Sequence, residues 1–345
     1  MSKPADVEPL PFPVLIADIG GTNTRFAIVA DRHAALTVFP TVHTTDFASI
    51  GDAIRATASA TNRVRPRSAV FALAGPIQSD TVPLTNCDWV VEPARLIGEF
   101  ALDELVLLND FEALALALPS LGPSDLAPIG SGAMREGGAK LVVGPGTGLG
   151  AAGLISIGDL HVPISGEGGH VTLAPQTERD AAVFAHLERM GGGQRVSAEW
   201  VLSGPGLVRL YRAIAATDRA EPRLVLPQEI SAAGLAGSDP NAADALHLFA
   251  TYLGRVAGDL ALIFMATGGI YLAGGVARLL AAFLKTSGFR AAFDDKWPHR
   301  ALMESMATVV ITHRSPALTG IAEFVRAPSR FGLALTGRRW RGRGV

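Results

Sequence analysis

The chain has 345 residues, close to half of them apolar, and a formal net charge of −2. That length holds two domains with separate cores, and the near-neutral balance excludes an electrostatic case for nucleic acid as a partner. The single cysteine, Cys87, excludes an intramolecular disulfide and a cysteine-held zinc or iron–sulfur centre, which fits a cytoplasmic protein.

The opening MSKPADVEPLPFPV carries no apolar run, so no secretory leader is expected. The first strand pair reads LIADI and RFAIV, joined by GGTNT. SAVFAL at 68–73 is the next strand. LTNCDWVVEP at 84–93 follows it with Asn86 and Trp89, an amide and an apolar ring that suit a sugar, although Trp89 suits a core equally. LVLLNDFEALALAL passes from a buried strand to a helix at Asn109 and Asp110. LVVG at 141–144 and GLISI at 153–157 are further strands. RDAAVFAHLERM, GLVRLYRAIAA, the segment Ala242 to Ala266 and the segment Val276 to Lys285 have helical periodicity, and IYLA is a strand between the last two. This mixture predicts an α/β or α+β class. Leu260 to Ala277 lacks any charge and approaches the length of a membrane span. Gly268, Gly269, Gly274 and Gly275 interrupt it, so a buried helix and strand are expected, and no membrane association. The tail GRRWRGRGV is expected to be a solvated, disordered basic end.

Residues 15–29 align without gaps on LVVGPGTGLGAAGLI, residues 141–155. Each is a strand, a turn rich in Gly and Thr, and a second strand. Glycine allows positive φ and close approach of a ligand, and successive backbone N–H groups form an anion-binding concavity. Gly20, Gly21, Thr22 and Asn23 in the first turn, and Gly146, Thr147 and Gly148 in the second, are therefore candidate phosphate binders; either turn alone would also serve as an ordinary hairpin connection. Asp18 precedes the first turn, where Gly144 occupies the matching place in the second. A carboxylate beside phosphates suits Mg²⁺, directly or through water. The P-loop pattern G-x-x-x-x-G-K-[ST] does not occur. GTGLGA imitates a dinucleotide fingerprint, but that motif opens a helix, whereas here GLISIGDLHVPI reads as two strands around a Gly-Asp turn.

Asp110 follows a buried strand directly. Asn and Asp at such a place serve as helix caps. A carboxylate there also faces the ligand-binding edge of an α/β sheet and is a candidate general base. GEGGHVTLAP holds Glu167 and His170 in a glycine-rich loop, and with Asn109 they supply the donors and acceptors that a polyol needs. Glu199, after a possible cap at Ser197, suits either a helix dipole or the same polar set.

Taken together, DIGGTNTRFA at 18–27, LLNDFEALALALP at 107–119, GPGTGLGAA at 144–152, GEGGHVTLAP at 166–175, VSAEWVLSGPGLVRLYRA at 196–213 and YLAGGVA at 271–277 resemble the bacterial glucokinase family, a hexokinase-like group of the actin-like ATPase superfamily. The resemblance spans nearly the whole chain. It implies a two-lobed α/β actin-like ATPase (ribonuclease H-like) fold with a cleft between a small and a large domain. The small domain would comprise 1–119 and 313–330, returning through the helix in ALTGIAEFVRA, and the large domain 120–312, with 331–345 left as the tail. The implied activity is transfer of phosphate from ATP to the 6-hydroxyl of glucose in the cytoplasm, by a homodimer; a broader hexose kinase and a non-catalytic sugar sensor are the alternatives. The implied base is Asp110. Asn86, Asn109, Asp110, Glu167, His170 and Glu199 would hold the sugar. Asp18, Gly20, Gly21, Thr22, Asn23, Gly146, Thr147, Gly148, Gly274 and Gly275 would surround ATP and Mg²⁺. Cys87 stands where the family often has His. With no cysteine cluster, the chain departs from the related repressor–kinase branch.

Overall fold

The computed structural model describes residues 8–59, 65–75, 77, 79–84 and 87–342. They form two compact units, one of Met1–Leu121, Leu154–Ser165 and His313–Val345, the other of Gly122–Gly153 and Gly166–Thr312.

In the first unit the strands Val14–Ile19 and Asn23–Val29 form an antiparallel hairpin. Val14–Ile19 pairs in parallel with Ser68–Leu73, and that strand in parallel with Glu104–Asn109. These strands read as continuous apolar runs because both sheet faces are covered. Leu15, Ala17, Ile19, Phe71 and Leu107 face Ile50, Ile54 and Leu96. Ile16, Val70, Val106 and Leu108 face the helices Asp110–Ala117 and Pro316–Arg326. Gly320 lets those two helices touch: a Cβ there would lie 2.2 Å from the Ala113 carbonyl oxygen.

The tail departs from expectation. Arg339–Arg341 is an edge strand antiparallel to Glu104–Asn109. Arg339 Nε meets Glu104 at 2.6 Å, Arg338 Nη1 meets Glu112 at 2.6 Å, and Trp340 Nε1 donates to Asp80 at 2.7 Å. Glu104 and Glu112 are buried, and a buried carboxylate needs a paired cation. Composition shows the arginines but not the carboxylates waiting for them. Residues 343–345 lie outside the described residues.

Residues 154–165, expected in the larger unit, group with the first. Their hairpin meets the chain returning from the last helix: His161 bridges Phe331, Gly332 N donates to the His161 carbonyl at 2.9 Å, and Gly332 lies against Val162.

The second sheet runs from Leu160–Gly166 through Leu149–Ile157, Lys140–Pro145, Ile270–Leu272 and Thr308–Ile311 to Leu126–Ile129. Leu149–Ile157 follows the second glycine turn as a strand, so the dinucleotide fingerprint has no helix to open. Pro240–Phe264 is apolar enough to cross a membrane by length and composition, but 67% of the tested window is buried. The helix ends at Met265, whose φ of 46° is left-handed, before the strand Ile270–Leu272. The segment Val276 to Lys285, expected as one helix, is two short ones, Gly274–Leu279 and Ala281–Leu284, parted at Leu280.

Asp180 is buried in this second core. Burial pushes its carboxyl up, but N–H groups from the backbone, the Arg255 guanidinium at 2.7 Å and the Tyr252 hydroxyl at 3.0 Å outweigh that and hold it below its ordinary value. A depressed acid stabilises the fold above its unfolded pKa, near 3.9, and loses that contribution as pH falls through the folded value. Asp180→Asn should therefore flatten the acid limb of the stability–pH curve below about pH 4, measured by urea titration. Arg339→Ala leaves Glu104 buried without its close partner and should cost about 3 kcal/mol. A midpoint unchanged in urea would mean that the tail does not dock.

Candidate active site

The three parallel strands of the first unit end level with one another, since Ile19 pairs with Leu73 and Leu73 with Asn109. The chain leaving them emerges at a single carboxyl edge, where open α/β sheets bind ligands. The Gly20–Thr22 turn leaves there, and the helix Asp110–Ala117 begins there. Asp18 is one residue short of the edge. It sits opposite Arg25, whose Nη1 is 3.3 Å from its Oδ2. Burial pushes the Asp18 carboxyl above its ordinary value, and the Arg25 charge pulls against it. The Asp18 side chain is partly buried, 20% exposed, so a further cation can reach the carboxylate and would stabilise it.

The turn is clamped from behind. Gly20 N donates to the Asn23 carbonyl at 3.0 Å, and Thr44 N donates to that of Thr22 at 3.0 Å. The Thr44 hydroxyl donates to Gly20 O at 2.8 Å. Its proton being spent there, it accepts from Thr24 Oγ1 at 3.0 Å. Both threonines are buried, while Thr22 at the tip is exposed. Sequence reasoning missed Thr44, which opens the single 3-10 turn Thr44–Asp46 after the two-residue strand Val42–His43, elements too short to leave a pattern in the sequence.

Asn109 caps the next helix. Its Oδ1 accepts from Phe111 N at 2.9 Å and Glu112 N at 3.2 Å, and Glu112 Oε2 accepts from Asn109 N. Asp110 Oδ1 accepts from Phe111 N at 2.9 Å. The cap reading and the functional reading are thus compatible, because capping fixes both side chains at the carboxyl edge. Asn86 lies outside the described residues. Trp89 is core, 3% exposed, with its indole N–H on the Phe47 carbonyl at 2.8 Å, which removes the sugar-facing alternative.

The second unit repeats the edge. Val143 pairs with Leu272 and Leu272 with Val310, so the Gly146–Gly148 turn and the start of the helix Gly274–Leu279 leave side by side. Gly274, at φ +92°, would bring a Cβ within 2.7 Å of the Pro145 carbonyl oxygen. Gly204, opening the helix Gly204–Thr217, donates its N–H to Gly146 O at 2.8 Å. Neither glycine turn uses positive φ: Gly20, Gly21, Gly146 and Gly148 all stay outside that region. Gly148 leaves room for a carboxylate instead: a Cβ would lie 2.4 Å from Glu199 Oε2 and push it from its place.

Glu199 Oε2 accepts from Leu149 N at 2.9 Å, tying its carboxylate to the end of that turn. The loop of Glu167 and His170 packs on the same residue: a Cβ on Gly169 would lie 1.9 Å from Leu149 O. His170 Nε2 is 3.7 Å from Glu167 Oε2, both side chains are exposed, and Arg195 holds the His170 carbonyl at 2.9 Å. The second unit thus gathers Glu167, His170 and Glu199 around Leu149. The first gathers Asp18, Asn23, Asn109 and Asp110 at its own edge.

The fold is the two-lobed α/β architecture of sugar kinases. It superposes on a crystal structure of glucokinase from an Antarctic psychrotroph with TM-score 0.78 and 33% identity, covering 91% of this chain and 98% of that one. A family model described as glucokinase matches residues 15–328. The chain is 52% identical to a glucokinase of Chelativorans sp. (strain BNC1) over 332 residues, 96% of each chain. It is 48% identical to one from Rhizobium johnstonii over 99% of this chain and all of that one. The chain belongs to the glucokinase family.

The Gly169 contact yields a direct test. Gly169→Ala should raise amide exchange across 166–171 and at Leu149, because the loop must lift from the strand. Gly166→Ala, where a Cβ meets nothing within 4 Å, should leave exchange unchanged.

Proposed function

We propose that this chain transfers the γ-phosphoryl group of ATP to the 6-hydroxyl of glucose, giving glucose 6-phosphate and ADP. The observation that carries this reading is the placement of Asp110. Its carboxylate is fixed by a backbone N–H at the same sheet edge as the Asp18 glycine turn.

Phosphoryl transfer asks a protein to position the reactants and neutralise charge. In our reading Asp110 accepts the 6-hydroxyl proton as that oxygen bonds to phosphorus and the bond to the ADP oxygen breaks. Asn109, Glu167, His170 and Glu199, with Asn86, hold the other sugar hydroxyls. Carboxylates accept from them, and the His170 ring nitrogens offer further polar contacts. The backbone of Gly20, Gly21, Thr22 and Asn23, and of Gly146, Thr147 and Gly148, receives the phosphates. Gly274 and Gly275 pass beside the adenosine.

Among the described residues no group of three or more acidic, His or Cys side chains forms a metal cage. Mg²⁺ carried on nucleotide phosphates needs only one or two carboxylates, and the desolvated Asp18 fits that role, directly or through water. Bound there, the ion would neutralise phosphate charge. The same reading makes the chain a cytoplasmic homodimer acting where glucose enters glycolysis, without nucleic acid or membrane as a partner.

A coupled assay of ADP release against a panel of sugars tests the proposal. We expect turnover with glucose; turnover shared equally among hexoses would favour a broader hexose kinase, and none with any sugar would favour a sensor. Asp110→Asn should keep glucose binding by calorimetry while kcat falls by about 10²–10⁴. A kcat near that of the wild type would remove Asp110 as the base.

A further inference from the structure

Glu112 is buried at the third position of the helix that Asn109 caps, and one of its oxygens has two partners. Oε2 accepts from Asn109 N at 3.4 Å and from Arg338 Nη1 at 2.6 Å. Arg338 lies far away in sequence, in the C-terminal segment, beyond the residues that the glucokinase family model matches. Its guanidinium is aimed by a second contact, Nε donating to the Ala334 carbonyl at 2.9 Å. Its backbone is tied to the catalytic strand, since Leu107 N donates to Arg338 O at 2.9 Å.

We infer that the C-terminal segment is a strap, and that Arg338 is a positioning residue which sets the Asp110 carboxylate through Glu112 and the Asn109 cap. The inference rests on Asp110 serving as the base. The chain of contacts is short and continuous: Arg338 to Glu112, Glu112 to the Asn109 backbone, and Asn109 and Asp110 both to Phe111 N. A charge-assisted bond orients the Glu112 carboxylate more firmly than the long bond to Asn109 N. Without the arginine, a buried carboxylate must find other partners or draw water to itself. Either outcome turns Glu112 away from the cap and loosens the first helical turn, where Asp110 sits. Arg339, the next residue, points its charge to Glu104 instead. The strap therefore contains one arginine that acts on the cap and one that anchors the strand.

The test compares full-length variants at a temperature well below every unfolding midpoint. Arg338→Ala should lower kcat about tenfold, since small misplacements of a reacting group are that costly, with KM for ATP unchanged. Arg338→Lys should recover part of the loss. Arg339→Ala should lower stability yet keep the wild-type kcat. Glu112→Gln keeps a side chain suited to the capping box while losing the ion pair, so it should reproduce the loss. Adding Arg338→Ala to it should then change nothing further. Amide exchange at Phe111 and Glu112, read without substrates, should rise in Arg338→Ala.

A wild-type kcat in Arg338→Ala, an equal loss in Arg339→Ala, or a full additional loss in the double variant would each overturn the strap. If Arg338→Ala does not fold, Glu112→Gln decides alone: a wild-type kcat there overturns it. Failure of the underlying reading is separate, because it shows as an active Asp110→Asn whatever the strap variants do.

Discussion

The constraint on which the rest depends is the level ending of parallel strands. Side chains on a strand alternate between faces, so they can serve a ligand only where the strand stops and the backbone turns away. Ile19, Leu73 and Asn109 stop together in one unit, and Val143, Leu272 and Val310 are aligned near the strand ends in the other. Shifting one of these strands by a residue would turn its side chains to the opposite face and carry Asp18 or Asn109 out of line. The apolar cores on both faces are thus what aim the polar groups at the edge.

Glycine does two different jobs in this chain. Gly274 takes a left-handed φ at the start of the helix Gly274–Leu279, beside the second turn. Gly148, Gly169 and Gly320 have no such φ; each yields space to a neighbour that could not otherwise come so close. Gly169 and Gly148 together let the polar loop and the Glu199 carboxylate converge on Leu149 from two sides. A sequence shows that a residue is glycine but not which of these reasons applies. That is why positive φ was the natural expectation for the two glycine turns, although neither uses it.

The strands and the paired hairpins were legible because each is local: an apolar run, a turn and a second run all lie within fifteen residues. Asp110 was legible for the same reason, standing where LVLL meets a helical pattern. What escaped depends on distant partners. Thr44 matters through Gly20 and Thr24. The strand Thr308–Ile311 is short and is defined by its neighbours Ile270–Leu272 and Leu126–Ile129. The tail looked like a solvated basic end because its carboxylate partners, Glu104 and Glu112, lie more than two hundred residues earlier. Asn86 remains an expectation from sequence, outside the described residues.

The two hairpins look alike in sequence, yet their surroundings differ in a way that separates their tasks. Asp18 and Arg25 face one another across the first, so that hairpin carries a charged pair whose carboxylate is short of solvent. Gly144 stands where Asp18 would be in the second, and the Glu199 carboxylate beside that turn is already engaged by Leu149 N. The second turn instead receives a helix, through the Gly204 N–H on Gly146 O. The first N–H groups of that helix are engaged, Gly204 N by Gly146 O and Gly206 N by the Ser203 hydroxyl. What the helix opening brings is the partial positive charge of its dipole, which favours an anion. A partly uncompensated carboxylate favours a cation. One hairpin scaffold therefore supplies opposite electrostatic surroundings in the two units, and the difference comes from a single residue before the turn and from which element is packed behind it.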